Sequence, residues 1–472
     1  MKRKYCILSI IISASLLAGC LSACGESGTA TGGSSSEENT AAAVTTLDTT
    51  ADVEAPDVSG ATTIALSGQS ATATGTGAEV TNGMVTITAG GTYVVTGTMT
   101  EGRILVNAPK EEVTLVLQDA AITCSTGSPL YVYKSKATTL YLPEGTDSTL
   151  TDGTDNTFSD SYSSAEEEEP NACLYSKSDL VIAGSGSLTV NANYNNGITG
   201  KDTLFIQKAS VTVTAVNHGI NGKDSLTIKD ADITVTSGGD ALRSTNDSDP
   251  TLGYLVITGS ALKLTAGEDG IQAETTLTIS GGTATVTTAG GAGQSISDDT
   301  SAKGFKAGTQ VTVTGGTFQL NCCDDAIHSN GDGTIDCDGS ATITGGIVVA
   351  AGSTGMAENF GTASTQGSIL VNLSGSAGQA ITLKDSDGDI LASFTPAKAF
   401  GCVVVSAPGV AQGGTYTIAA GGASTTVTME SLIYGSGMGG FGGMGGGMGG
   451  PGNIGGGQQP PQGGMGGPDN RG

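Results

Sequence analysis

The sequence predicts an all-β protein built as a parallel β-helix, a solenoid with about 22 residues in each turn. Glycine accounts for 76 of the 472 residues, tryptophan is absent and aromatic residues make up 4%. This composition suits short strands joined by tight turns better than it suits helices. A short motif also recurs at a fixed spacing, and apolar and small polar residues alternate between its copies with the period of a strand.

The recurring motif places a small residue directly before an apolar one. The small residue is Gly197, Gly219, Ala241, Gly270, Gly304 or Ala326. Three of the five steps are 22 residues, and the steps of 29 and 34 residues contain polar, turn-like insertions. A unit this short cannot bury its own apolar side, so we expect the units to stack, with strands about 4.8 Å apart. The apolar residues would form one core column: Ile198, Ile220, Leu242, Ile271, Phe305 and Ile327. A β-sandwich with repetitive turns is the alternative, which the constant spacing disfavours.

The N-terminus has the pattern of a secretory signal. The basic residues Lys2, Arg3 and Lys4 precede an apolar stretch, which ends in two cysteines that follow small residues, Cys20 and Cys24. The pattern resembles the lipobox of bacterial lipoproteins and predicts a signal peptide over residues 1–23 with lipidation at Cys24 or Cys20. The protein would then be lipid-anchored to the membrane, on the extracellular face of the bacterial cell. An ordinary secretory signal is the alternative.

Composition divides the remaining chain into four parts. Residues 24–60 are rich in Ser and Thr and predict a flexible tether, and residues 61–360 carry the β-helix. Residues 361–432 predict a small antiparallel β module or cap. The Gly/Met-rich tail, 433–472, cannot form a core and is expected to be disordered. Residues 385–389, "DSDGD", predict a hairpin turn rather than a calcium loop, because the EF-hand spacing is missing.

The formal net charge of −26 excludes nucleic acid as a partner, because phosphate binding needs the opposite sign. An acidic polysaccharide would also be repelled unless a cation bridges it to the protein. The chain has two histidines and no CxxC pair, so a structural zinc site is not expected.

Acidic residues lie beside the recurring small residue and predict a calcium site. The predicted ligands are Asp240, Glu268, Asp269, Asp324 and Asp325, with Asp247 from an insertion. Adjacent carboxylates repel each other, so pairs such as Asp324–Asp325 favour a bound cation, and hard oxygen ligands favour Ca²⁺. The alternative is that acidic and amide side chains at these corners hydrogen-bond the backbone and stack as a ladder.

Cations and other polar residues near the same corners are candidates for carbohydrate contact. They are Arg243, Lys303, Lys306, His328, Asn330 and Tyr194. Eliminative cleavage of a uronate polymer needs a base beside a metal ion, and Lys303 or Lys306 is the candidate for that role. No serine–histidine–aspartate set and no glycosidase carboxylate pair is identifiable by spacing.

The segments "NACLYSKSDLVIAGSGSLTVNANYNNGI", "GKDSLTIKDADITVTSGGDAL", "EDGIQAETTLTI" and "DDAIHSNGD" resemble the bacterial surface carbohydrate-binding domain family. The resemblance spans roughly residues 60–430. It implies a right-handed parallel β-helix, similar in fold to family 9 pectate lyases, with calcium held by acidic side chains. It also implies binding of cellulose or pectin-like acidic sugars.

We therefore expect calcium-assisted, non-catalytic binding of a plant-type polysaccharide by a cell-surface lipoprotein. The alternatives are a calcium-dependent pectate lyase acting by β-elimination and a structural or adhesive surface protein.

Overall fold

The computed structural model describes residues 47–157, 160–291, 297, 300–323, 327–329, 340–352, 354, 357 and 359–435, without the side chains at positions 328, 329 and 340. Across these residues the chain forms strands and no helix, which confirms the all-β prediction. The described residues contain no helix that is long and apolar enough to span a membrane. The predicted signal, both candidate lipidation sites and nearly all of the Gly/Met-rich tail lie outside the described residues.

The strands are short and follow one another closely. The first ten are β1 Thr62–Gly68, β2 Ser70–Thr74, β3 Ala78–Thr81, β4 Met84–Ile87, β5 Gly91–Met99, β6 Arg103–Asn107, β7 Glu112–Cys124, β8 Leu130–Lys134, β9 Ala137–Tyr141 and β10 Asp147–Asp152. The next ten are β11 Ala172–Ser176, β12 Asp179–Ala183, β13 Ser187–Ala192, β14 Asn196–Gly200, β15 Thr203–Gln207, β16 Ser210–Ala215, β17 Ile220–Gly222, β18 Ser225–Lys229, β19 Asp232–Ser237 and β20 Leu242–Ser244. Nine more are β21 Tyr254–Thr258, β22 Ala261–Ala266, β23 Ile271–Ala273, β24 Thr276–Thr288, β25 Phe305–Ala307, β26 Gln310–Asn321, β27 Ile327–Ser329, β28 Ser340–Ile343 and β29 Ile347–Gly352. The last seven are β30 Ser368–Val371, β31 Ile381–Lys384, β32 Ile390–Phe394, β33 Cys402–Ser406, β34 Thr415–Ala420, β35 Ala423–Thr428 and β36 Ile433–Tyr434.

Each repeat of the sequence contributes in turn to three ladders of parallel strands. One ladder is an 11-stranded sheet, which we call the short-strand sheet, in the order β27-β25-β23-β20-β17-β14-β11-β8-β6-β4-β3. Its strands pair parallel except β3, which pairs antiparallel with β4. The other two belong to the 21-stranded sheet. One contains β9, β12, β15, β18, β21 and the beginnings of β24 and β26. The last contains β10, β13, β16, β19, β22 and the ends of β24 and β26.

The predicted core column is present in the short-strand sheet. Its backbone partners in register are Ile198, Ile220, Leu242, Ile271, Phe305 and Ile327. Each of these residues is 0–5% exposed and belongs to the main apolar core. The register also continues across the 29- and 34-residue steps, so the extra residues lie between ladder strands, as predicted. Burying each such side chain stabilises the fold by roughly 1.5–3 kcal/mol.

The recurring glycine is explained by the close approach of neighbouring repeats. A Cβ atom on Gly219 would lie 2.4 Å from Val235 Cγ1 and 2.5 Å from the carbonyl oxygen of Ala241. Gly197 and Gly270 face Val213 and Val286 in the same way.

At Ala241 the recurring small residue has a side chain. In the next strand of that ladder, β22, the register partner of Val235 is Leu264, which is not branched at Cβ. Valine thus faces the glycine at three repeats and leucine is found beside Ala241, whereas the repeat of Gly304 carries Leu320 at the same register position.

Part of the predicted tether is in contact with the large sheet. In residues 47–60, the Asp52 carboxylate accepts hydrogen bonds from Lys208 Nζ at 2.8 Å and from Lys229 Nζ at 2.7 Å. Leu47 packs on the outward cluster that contains Phe205. The prediction of a free tether is therefore corrected for this stretch, because ion pairs and an apolar patch hold it to the sheet.

The C-terminal strands form an antiparallel module with its own apolar core. The order β32-β31-β34-β35 makes a four-stranded sheet, and β33 pairs antiparallel with β29 of the large sheet. The hairpin between β31 and β32 turns at "DSDGD", where Asp385 Oδ1 accepts the N–H groups of Asp387 and Asp389. This confirms the hairpin interpretation of residues 385–389.

We expect Gly219→Ala to lower the free energy of unfolding by about 1–3 kcal/mol, because the new methyl group overpacks against Val235. Denaturant unfolding measures the change. Gly422→Ala is the matched control, since a Cβ there meets no atom within 4 Å. Combining Gly219→Ala with Val235→Leu should recover part of the loss, and an equally destabilised double variant would contradict the proposed valine–glycine fit.

Candidate functional site

The short-strand sheet carries a row of outward side chains. Alternate residues of a strand point to opposite faces, so the residue after each core residue faces away from the core. These residues are in register from strand to strand: Leu105, Tyr131, Tyr175, Thr199, Asn221, Arg243, Gln272 and Lys306, followed by the backbone of His328. We call this set the outer row.

One end of the outer row is aromatic and covered. Tyr131 and Tyr175 are fully buried with their rings edge to face at a centroid distance of 5.6 Å, and the Tyr131 hydroxyl donates to the Tyr162 carbonyl at 2.9 Å. Sequence reasoning missed these tyrosines. Leu130 and Leu174 continue the apolar column, so extending the alignment by two repeats was the signal that could have found them.

One residue of the acidic run 166–169, Glu169, is paired with lysines of the sheet. Glu169 is 7% exposed, and its carboxylate accepts hydrogen bonds from Lys177 Nζ at 2.8 Å and Lys201 Nζ at 2.6 Å. Burial raises the pKa of Glu169, but these lysine hydrogen bonds outweigh it and bring the pKa down to about 2. Glu169 is thus a fixed anion that attaches the acidic run 166–169 to the sheet.

The other end of the outer row is cationic and reaches solvent. Thr199 and Asn221, at the centre, are 3% and 7% exposed, whereas Arg243, Gln272 and Lys306 are half-buried. Arg243 is paired with Asp240 and Lys306 with Asp269, and both cations extend to the outward face of the row. The part of the row that a ligand can reach therefore suits an anion or a hydroxyl-rich molecule.

Beside the outer row, the predicted metal ligands Asp240 and Asp269 belong to a hydrogen-bond ladder. Asn196 Oδ1 accepts the His218 N–H at 3.2 Å, and His218 Nδ1 lies 2.9 Å from the Asp240 backbone nitrogen. Asp240 Oδ1 then accepts the Asp269 N–H at 3.0 Å. Asp269 Oδ1 accepts the Lys303 N–H at 2.8 Å. Each side chain thus binds the backbone of the next repeat, which is the alternative that the sequence left open.

The free oxygen of the Asp240 carboxylate faces His218 and Arg243. Its Oδ2 lies 3.3 Å from His218 Nδ1 and 3.5 Å from Arg243 Nη1. Burial raises the pKa of Asp240, but the neighbouring His218 and the Arg243 charge lower this pKa by more. Burial and the nearby Asp240 charge raise the pKa of Glu268. Ligand atoms of His218, Asp240 and Glu268 lie within 4.8 Å of one another.

The Asp269 carboxylate is also paired with a cation, Lys306. It is 1% exposed, and its Oδ2 accepts a hydrogen bond from Lys306 Nζ at 2.8 Å. Its Oδ1 also accepts from Ser301 Oγ at 2.7 Å. Lys303 Nζ and Lys306 Nζ lie 3.4 Å and 3.3 Å from the same Ser301 hydroxyl. The two lysines proposed from the sequence therefore converge on one serine.

Other predicted residues are elsewhere or outside the described part of the chain. Asp247 is exposed and follows β20, whereas Asp240 precedes this strand, so the two lie at opposite ends of it. Asp324, Asp325 and Asn330 lie outside the described residues. For His328 only the backbone is described, and it is in register with Lys306.

The described acids do not fit a calcium ion. Calcium takes six to eight oxygen ligands, and it does not favour an imidazole nitrogen. Asp240 and Asp269 each give one oxygen to the ladder and turn the other toward a cation. Because Arg243 already neutralises Asp240 beside His218, this group lacks the all-oxygen surroundings that calcium needs.

Tyr194 precedes the ladder at a corner held by a buried carboxylate. Asp152 Oδ1 accepts the N–H groups of Asn193 and Tyr194, and Asn193 Nδ2 donates to the Asp152 carbonyl at 2.8 Å. Burial raises the pKa of Asp152 to about 6. Tyr194 itself is half-buried at the edge of the short-strand sheet.

With the geometry described, comparison with known proteins assigns the family. A family model described as "Carbohydrate-binding domain-containing protein" matches residues 81–355, more than half of the chain. The chain belongs to this carbohydrate-binding domain family. A carbohydrate-binding domain-containing protein of Acetivibrio thermocellus is 40% identical over 204 residues, which cover 43% of this chain and 70% of that protein. The family match confirms the resemblance noted in the repeats.

A solved structure from C. thermocellum is also similar. It is described as a gadolinium derivative of a polysaccharide lyase-like protein and is 30% identical to this member of the family. The match covers 59% of this chain and 99% of that chain, with a TM-score of 0.47.

We expect Asp152 to make the fold more stable as pH falls from 7 to 5. A carboxyl group with a folded pKa of about 6 and an ordinary value of 3.8 binds its proton in the folded state first, so its protonation favours folding over this interval. Urea unfolding at both pH values should show this gain reduced in Asp152→Asn. The exposed Asp387→Asn is the control, and equal pH dependence in all three proteins would contradict the assignment.

Proposed function

We propose that the protein binds polysaccharide without cleaving it, through the open end of the outer row. The observation that carries this proposal is the placement of Arg243 and Lys306 on one outward face, in register on either side of Gln272. Membership of a carbohydrate-binding domain family supports polysaccharide as the ligand. We further propose that the three ladders wind as a right-handed parallel β-helix, which makes this face a continuous, straight surface.

The charges favour an acidic polysaccharide of the uronate type over neutral cellulose. Arg243 Nη1 and Lys306 Nζ supply charge-assisted donors that match sugar carboxylates. The charge of the whole chain opposes acidic polymers, so recognition depends on this local patch. The sequence has no tryptophan to offer a flat stacking platform for a neutral glucan, and the Tyr131 and Tyr175 rings are buried.

Binding is favoured over lyase chemistry by the contacts of the two lysines. A base for β-elimination has to be an uncharged amine at the moment of proton transfer. Lys306 Nζ donates a hydrogen bond to the buried Asp269 carboxylate at 2.8 Å, so this amine is already engaged as a donor. Lys303 is placed beside the same ion pair, through its N–H to Asp269. These lysines are therefore suited to hold an anion rather than to accept a proton.

The calcium part of the proposal rests on Asp324 and Asp325. They are adjacent in sequence and belong to the acidic segment 324–336. Calcium bound there would offset the repulsion between an acidic polymer and an acidic protein. We also propose that the protein is a lipoprotein on the extracellular face of the membrane, on the basis of the signal sequence and of Cys20 and Cys24.

We expect Lys306→Met to weaken binding of a uronate polymer about tenfold, since it removes a charge-assisted hydrogen bond worth roughly 1.5–3 kcal/mol. Isothermal titration calorimetry measures the affinity, and ultraviolet absorbance should show no unsaturated product. Lys384→Met is the control, because Lys384 is exposed on the C-terminal module.

A double variant, Asp269→Asn with Lys306→Met, separates binding from folding, because it leaves no unpaired buried carboxylate. It should fold and still bind weakly. Equal binding by the Lys306 and Lys384 variants would contradict the proposed surface, and accumulation of unsaturated product would replace binding with lyase activity.

We expect Asp324→Asn combined with Asp325→Asn to lower calcium affinity and uronate retention together. Equilibrium dialysis against calcium and retention on a uronate gel, with and without chelator, are the measurements. Asp385→Asn with Asp387→Asn, in the C-terminal hairpin, removes the same charge elsewhere. Unchanged calcium affinity in the first variant would rule out this calcium site. It would not bear on uronate binding by the cations of the outer row.

A further inference from the structure

The cations of the outer row are spaced by two repeats. Arg243 is the register partner of Gln272, and Gln272 is the register partner of Lys306. Neighbouring strands lie about 4.8 Å apart, so the backbones of Arg243 and Lys306 are about 9.6 Å apart along the row. The neutral amide of Gln272 lies halfway between the two charges.

The Arg243 guanidinium is incompletely supplied with hydrogen-bond acceptors. Its Nε is buried and has no hydrogen-bond partner. Its Nη1 lies 2.8 Å from His218 Nε2, while His218 Nδ1 lies 2.9 Å from the Asp240 backbone nitrogen. A neutral imidazole has one N–H and one acceptor nitrogen, so it cannot accept from both donors. An incoming oxygen that accepts from Arg243 would relieve this shortage.

The Lys306 position also keeps a donor for a ligand. An ammonium group has three N–H bonds. Asp269 Oδ2 at 2.8 Å and Ser301 Oγ at 3.3 Å account for two of them. The Lys306 side chain is 18% exposed, so it is open to solvent in part, and the third N–H is left for a ligand. Both ends of the Arg243–Gln272–Lys306 stretch therefore seek an acceptor, and the middle carries no charge.

We propose that this stretch reads a carboxylate on every second sugar of a β-1,4-linked uronan. One sugar ring of such a polymer has about the length of one strand spacing, so a chain along the row places one sugar on each repeat. In a ribbon with two sugars per turn, alternate sugars turn the same edge in opposite directions. Carboxylates on one edge then recur every second sugar, which is the spacing of Arg243 and Lys306.

Gln272 then serves the intervening sugar. That sugar turns its carboxylate to the other edge and presents hydroxyl groups toward the protein. A neutral amide both donates and accepts hydrogen bonds, so it suits hydroxyls better than a third cation would. It follows that a polymer with acid on alternate sugars satisfies the row as well as one with acid on every sugar. This inference rests on the proposed function and adds to it the spacing of the recognised charges.

The test is calorimetric titration of the whole mature chain with three hexasaccharides. They are a β-1,4-linked glucuronan, an alternating glucuronate–glucose oligomer of the same linkage whose acids lie on one edge, and the neutral glucan. We expect the first two to bind within about threefold of each other, and the neutral glucan to bind at least tenfold more weakly. Arg243→Gln and Lys306→Gln should each weaken both acidic ligands by a similar factor and leave the neutral ligand unchanged.

The failures of the two proposals differ. Glucuronan binding more than tenfold tighter than the alternating oligomer would overturn the every-second-sugar spacing and leave polysaccharide binding intact. Equal binding of all three ligands would overturn charge recognition by the row, again without removing carbohydrate binding. Absence of binding to all three, and to polygalacturonate and cellulose as well, would overturn the proposed function itself.

Discussion

Parallel pairing in one register, from repeat to repeat, is the constraint on which the rest of this structure depends. The short strands β14, β17, β20, β23 and β25 have only three to five residues, and none of them could be stable alone. They are held because Ile198, Ile220 and their partners stack into one continuous apolar column. The same stacking transfers a fixed spacing to whatever side chains point outward.

The register also decides which polar groups remain for a ligand. At the corner before each short strand, side chains such as Asp240 and Asp269 are used to hold the backbone of the next repeat. Burying carboxylates in this role is costly unless they are paired with cations. Arg243 and Lys306 provide that pairing and, because their side chains extend past the ladder, also bring positive charge to the outer face. The acids thus position the cations that meet solvent.

The sequence predicted the periodic features well, because they follow from spacing alone. The core column, the looping out of the 29- and 34-residue steps, and the common face of Arg243 and Lys306 all follow from counting residues between recurring motifs. Counting could not show that the Asp240 and Asp269 carboxylates accept hydrogen bonds from backbone N–H groups, since that depends on side-chain rotamers. It also could not show that Glu169, within a run of four glutamates, is buried and paired with Lys177 and Lys201, which follow β11 and β14. The docking of Asp52 on Lys208 and Lys229 joins residues more than 150 positions apart and leaves no local signal.

The most direct test is the dependence of affinity on the length of the ligand. If register sets the spacing of the recognised charges, a glucuronan trisaccharide is the shortest ligand that reaches from Arg243 to Lys306. The dissociation constant should then fall at least tenfold between the disaccharide and the trisaccharide and change little for longer chains. Equal affinities for the disaccharide and the trisaccharide, or a gradual change with every added sugar, would contradict this account.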